Sequence, residues 1–181
     1  MKRSISKSII TLLSIFLFFI NLQAEDFKYV GVQKCKTCHK SKKSGSQYGI
    51  WKKAAHAEAL KSLSSKKSLD YAAKNKLGDP AKAPECLNCH ATMASIDKKL
   101  IDPKGRLTME EGVSCESCHG PGSEYKKMSI MKDREKAIAN GLIIPEEKVC
   151  LVCHNEKNPF FKPFDYKDRV TRVQHPIPGK K

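Results

Sequence analysis

Residues 115–122 read Cys-Glu-Ser-Cys-His-Gly-Pro-Gly: two cysteines separated by two residues, with a histidine directly behind the second. The same C-x-x-C-H arrangement starts at Cys35 (CKTCH), Cys86 (CLNCH) and Cys150 (CLVCH), and the four copies take up all eight cysteines of the chain. Disulfides are one use for cysteine in an exported protein, and a pair of four-cysteine zinc sites is another. Neither accounts for the histidines. If histidine fell at an arbitrary position about once in forty residues, four such successes in a row would be on the order of one in a million.

The histidine therefore belongs to the motif, and C-x-x-C-H is the pattern of c-type haem attachment. The two thiols add to the vinyl groups and fix the macrocycle, and the histidine binds the iron from one face. The sequence accordingly implies four covalently attached haem c groups. Their attachment points are Cys35 and Cys38, Cys86 and Cys89, Cys115 and Cys118, and Cys150 and Cys153, with His39, His90, His119 and His154 as the proximal iron ligands.

The start of the 181-residue chain has the layout of a secretory signal. Lys2, Arg3 and Lys7 precede an apolar run from Ile9 to Ile20, and Leu22-Gln23-Ala24 offers small-residue cleavage before Glu25. The apolar run is too short for a spanning helix, which needs roughly twenty residues. The expected organisation is a signal peptide at 1–24, cleaved after Ala24, and a haem-binding domain at 25–181 delivered to the periplasm, where haem is attached.

Thirty-four Lys and Arg against 19 Asp and Glu give a formal net charge of +15. The leader holds three of these cations and no acid, which leaves +12 on the remainder. Such a surplus is compatible with nucleic acid, an anionic membrane or an acidic partner. Export argues against nucleic acid, and the lysines are scattered rather than clustered. The reading that needs least is a solvated surface that also offsets the charge of the bound cofactors.

Aromatic residues make up 7% of the chain and the mean hydropathy is −0.49, so large apolar side chains are scarce. The porphyrins must supply the missing interior. With about forty residues per haem, the expected fold is mainly α with much irregular loop, a compact multihaem arrangement packed around four covalent haems.

The periodicity predicts a helix over 46–64, with His56, Ala59, Leu60 and Leu63 on one face. Further helices are expected over about 68–76 and 124–140, the latter ending at Asn140-Gly141, with a short one after Pro145 leading into Cys150. Residues 97–107 read as an exposed loop. The proline-rich stretch after His154 reads as an extended wrap, and no segment alternates like a strand.

Four haems with two histidines each would need eight, and only His56 and His175 remain beyond the motifs. At most two haems can be bis-histidine within one chain. Methionine is the other usual sixth ligand and raises the potential; the choices are Met93, Met109, Met128 and Met131, any of which can instead fill packing gaps.

The elements KCKTCH at 34–39, WKKAAHAEA at 51–59, ECLNCH at 85–90 and GVSCESCHGPG at 112–122 resemble the tetrahaem cytochrome c-554 family, whose members carry electrons away from hydroxylamine oxidoreductase. The resemblance implies a mostly helical, haem-packed periplasmic protein that transfers electrons through stacked haem pairs, with one haem five-coordinate. It also implies that His56 crosses to the third haem, on His119, that His175 serves the fourth, on His154, and that the second, on His90, is open. Where the family places a histidine for the first haem, this chain has SEYKKMSIMKD, so Met128 is the expected partner of His39.

The leading functional reading is a periplasmic electron carrier with redox protein partners, its lysines steering it to an acidic docking surface, and a membrane protein is a further candidate as a transient partner. A small haem reductase, for nitric oxide or a related molecule, working at the open haem is the alternative. A membrane-anchored quinol dehydrogenase is a further one if residues 1–24 are retained.

Overall fold

The computed structural model describes residues 26–177; the leader expected at 1–24 lies outside them. Among the described residues ten short helices account for most of the regular structure: α1 (Val32–His39), α2 (Gln47–Lys53), α3 (Ala59–Ser62), α4 (Lys66–Lys74), α5 (Pro84–His90), α6 (Cys115–His119), α7 (Met128–Met131), α8 (Arg134–Ala139), α9 (Glu147–Leu151) and α10 (Tyr166–Val170). Turns of 3₁₀ helix and irregular loop join them. Among the described residues there is no strand, only an isolated bridge between Tyr29 and Ile101. The mainly helical, loop-rich class expected from the sequence is the one observed.

The first three C-x-x-C-H motifs close short helices, and the fourth begins at the end of α9 and runs on into a turn, which puts both thiols and the histidine within about one turn of each other. Pro84 opens α5, where its missing N–H costs nothing. Gly120, at φ +75°, closes α6 directly behind His119.

The buried apolar set is small: Val30, Val32, Leu63, Leu107 and Tyr125, with Ala72, Ala83, Ala91 and Ala137. Meanwhile Ile143, Ile144, Leu151 and Val152 are exposed, and all four lie in or just before the fourth motif. Polypeptide alone does not make a conventional core here.

What holds the middle of the molecule is polar and centres on the third motif. Glu116, inside CESCH and 1% exposed, accepts the backbone N–H groups of Val30 (2.9 Å), Gly31 (2.8 Å) and Gly122 (2.8 Å). Glu111 accepts the N–H of Val32 at 3.0 Å. The two carboxylates thus satisfy the N-terminal amides of α1, whose N-cap Gly31 carries no side chain to do so. Gly31 has φ +83°, and a Cβ there would stand 2.5 Å from the Arg106 carbonyl carbon, so the close approach requires glycine.

Thr92, just past the second motif, binds the same hub. Its hydroxyl meets Ser117 Oγ at 2.6 Å and accepts the Ser114 N–H at 2.8 Å. Ile143, ahead of the fourth motif, donates its N–H to the His119 carbonyl at 2.9 Å.

Three expectations change. The helix over 46–64 is two helices: Ala54 is extended (φ −80°, ψ 153°), residues 55–58 form turns, and His56 lies in the break. The reason is tertiary, because the His56 carbonyl accepts the N–H of Val113 (3.0 Å) rather than serving a continuous helix. The helix over 124–140 likewise divides, into α7 and α8, with Asp133 capping the second through Lys136 N (3.1 Å). The wrap after His154 contains α10, capped by Asp165, whose side chain accepts the Asp168 N–H at 3.3 Å. By contrast, α4 and α9 stand where the sequence placed helices.

Candidate haem-binding sites

No disulfide joins any of the eight cysteines; seven are half-buried and Cys38 is exposed. They approach one another across motifs. The neighbouring Cys115 thiol, with burial behind it, pushes the Cys35 thiol far up. The Cys153 thiol is pushed up to about 12, by burial first and then by Cys89 and Cys118 beside it. Cys118 is raised by burial and by the nearby Cys150. Neighbouring motifs therefore run first, third, fourth, second.

Three motif histidines have their Nδ1 edge engaged. His90 Nδ1 lies 2.7 Å from the Ala59 carbonyl, His119 Nδ1 3.2 Å from the Ile143 carbonyl, and His39 Nδ1 3.3 Å from Gln47 Oε1. An oxygen acceptor at Nδ1 selects the tautomer that carries its proton there and leaves Nε2 with a free lone pair, the form that binds a metal.

The two remaining histidines each meet a motif histidine. His56 stands 6.1 Å from His154 between ring centres, and His175 stands 5.7 Å from His119. Two imidazoles with their nitrogens each about 2 Å from one metal have ring centres roughly 6 Å apart. These partners are the reverse of those implied by the resemblance, which gave His56 to His119 and His175 to His154. The exchange follows from the break at His56, which sends that side chain toward the fourth motif, and from α10, which returns the chain so that His175 reaches the third.

Burial holds all four rings below the usual histidine range, with a second contribution from His154 at His56, from Arg169 at His154 and from His39 at His175; at His119 the Ile143 bond opposes burial while His175 and His39 reinforce it. Neutral imidazole is the ligating form. The Nδ1 atom of His175 is buried without a hydrogen-bond partner.

Phe164 also stacks on the His154 ring, at 4.7 Å between centres. Phe160, Phe161, Lys162 and Arg169 continue that wall. Among the described residues no imidazole faces His39 or His90 at the distance found in the two pairs. Met128 is 62% exposed at the start of α7, a helix that packs mainly on α8.

Paired thiols beside a tautomer-selected imidazole, two imidazole pairs at metal-sharing distance and an orphaned ring nitrogen all fit haem c. Fold and site together define a c-type cytochrome. Residues 34–120 match the family described as cytochrome c554 and c-prime. The chain is also 33% identical over 150 residues to cytochrome c-554 of Nitrosomonas europaea, covering 72% of this chain and 59% of that protein. No solved structure matches. The chain belongs to the cytochrome c-554 family and binds haem c covalently.

Glu116, Thr92 and Gln47 went unnoticed in the sequence, and Glu111 stood out only as an available proton donor. Only Glu116 carried a signal, as an acidic residue placed inside a haem motif.

Proposed function

We propose that the protein is a periplasmic single-electron carrier with four haems, one per C-x-x-C-H motif. Haem c supplies a one-electron ferric/ferrous couple. The chain's residues do the rest. Each cysteine pair, Cys35/Cys38, Cys86/Cys89, Cys115/Cys118 and Cys150/Cys153, fixes one macrocycle, and His39, His90, His119 and His154 bind from the proximal side.

The distal ligands in this reading are His175 opposite His119 and His56 opposite His154. Met128 serves the first haem, its exposed thioether being unengaged, and the second haem, on His90, is open. Ala59 and Ile143 carbonyls and the Gln47 side chain hold the proximal rings in one tautomer and raise their basicity, which favours the ferric state.

The observation that carries the proposal is how closely the motifs are tied to one another: Glu116 of the third binds the amides of Val30 and Gly31 just ahead of the first, Thr92 behind the second meets Ser117 of the third, and Ile143 ahead of the fourth binds the His119 carbonyl. Attachment points held this close require macrocycles in close succession, and a chain of close haems serves electron passage rather than storage. The scattered lysines suit a transient encounter with an acidic redox protein.

The test is haem quantitation of the purified protein followed by stopped-flow reduction by an acidic redox protein at increasing ionic strength. Four haems, with reduction of all of them slowing steeply as salt rises, is the expected result. Catalytic consumption of nitric oxide with a reductant present, at rates exceeding those of intermolecular electron transfer, would replace the carrier by the reductase reading.

A further inference from the structure

The two imidazoles that stand opposite motif histidines are held in different ways. His56 is locked by backbone. Its carbonyl accepts the N–H of Val113 at 3.0 Å and of Ala59 at 3.2 Å, and Trp51 Nε1 donates to the Val113 carbonyl at 2.9 Å. Gly112 packs so closely that a Cβ would come within 2.8 Å of the same His56 oxygen.

His175 has no such support. The bond from Gln174 N to the Val170 carbonyl ends the helical part of that segment, and among the described residues 175–177 make no further backbone–backbone hydrogen bond. Ile177 is 58% exposed. Among the described residues, the hydrogen bond that ties this strap to the rest of the molecule comes from one side chain: Gln47 Nε2 donates to the Pro176 carbonyl at 3.0 Å. The same nitrogen donates to the Ser44 carbonyl, which identifies that end of the amide as the donor, and the Oε1 end lies 3.3 Å from His39 Nδ1. Gln47 therefore joins the strap that carries His175 to the proximal histidine of the first motif.

We propose that residues 174–177 form a releasable strap latched by Gln47, and that its lifting opens the iron position opposite His119 to a small neutral ligand of the nitric oxide or carbon monoxide class. The inference rests on the assignment of His175 to the third haem. Release breaks one iron–nitrogen bond and the incoming ligand forms one bond in its place; the imidazole leaves neutral and no electron or proton is transferred. The position opposite His154 stays closed, because lifting the His56 turn would break the bond from Val113 N to the His56 carbonyl as well. Gln47 is a positioning residue: it acts through Pro176 and never touches the incoming molecule.

The experiment is stopped-flow mixing of the dithionite-reduced, haem-loaded protein with carbon monoxide, followed by absorbance, for the unaltered chain, Gln47→Glu, Gln47→Ala and His175→Ala. Gln47→Glu removes the N–H given to Pro176 and keeps an acceptor for His39, so it separates the latch from the His39 contact. Expected is a slow phase in the unaltered protein whose rate levels off at high carbon monoxide, as strap opening becomes limiting. That phase accelerates about tenfold in both Gln47 variants, the effect of one lost hydrogen bond, and becomes fast and proportional to carbon monoxide in His175→Ala. A slow phase unchanged by both Gln47 substitutions, with His175→Ala still opening a site, overturns the latch. No gain of a fast phase in His175→Ala overturns the assignment of His175 itself.

Discussion

The imidazole of His56 stands 6.1 Å from that of His154 between ring centres, inclined at 69°. His56 belongs to a turn between two helices and His154 to the last of four haem motifs, so the pair joins distant parts of the chain. A backbone bond from Val113 N holds the turn, and Phe164 stacks on the His154 ring.

If the two share an iron, His56→Ala converts one haem from low-spin to high-spin, and EPR of the oxidised protein records one low-spin signal exchanged for a high-spin one. In the unaltered reduced protein, NMR cross-peaks from the His56 ring connect to the thioether protons at Cys150 and Cys153. Cross-peaks to those at Cys115 and Cys118 would instead restore the partner implied by the family resemblance. Gly112→Ala reproduces part of the change, because its Cβ collides with the His56 carbonyl and φ is +60° there.

Met128 is unengaged at the surface of α7. As the sixth ligand of the first haem it gives a long-wavelength sulfur-to-iron absorption band in the oxidised protein, which Met128→Leu abolishes with a fall in the highest haem potential. Retention of the band in that variant assigns it to another methionine.

Glu116 is the hinge of the polar hub. Glu116→Ala leaves the amides of Val30, Gly31 and Gly122 buried without an acceptor, and costs about 3–5 kcal/mol. Glu116→Gln, which keeps one carbonyl oxygen, falls between that variant and the unaltered protein. Denaturant titration followed by Soret absorbance gives both values, and a loss under about 1 kcal/mol for the alanine variant contradicts the role assigned here.

Glu111 titrates inside the fold. Burial, opposed by its bond to Val32 N and reinforced by Glu116 and Glu110, raises its carboxyl from 4.5 to about 7. Because the folded state holds this proton more tightly than the unfolded chain, the contribution to stability is full below about pH 4.5 and is lost as pH rises through about 7. The loss is about 3 kcal/mol at most. Glu111→Gln flattens the slope between pH 5 and pH 8, measured as Tm across that range, and an unchanged slope excludes Glu111 as its source.

The chemistry was legible along the chain because haem attachment is local. Two thiols and an imidazole must lie within one turn to hold one macrocycle, so Cys115, Cys118 and His119 declare their task by spacing alone, as do the other three sets. Scarce large apolar residues likewise pointed to a fold completed by its cofactors. Distal ligation is not local. Whether His56 meets His119 or His154 depends on where a helix breaks, and the break at Ala54 is fixed by a carbonyl that accepts Val113 N from across the molecule. Periodicity records which residues would share a helical face; it carries no term for such a competing bond. For the same reason Glu116 reads in sequence as an ordinary acidic residue between two cysteines, and only the arrival of Val30, Gly31 and Gly122 around it makes it the anchor of the first motif.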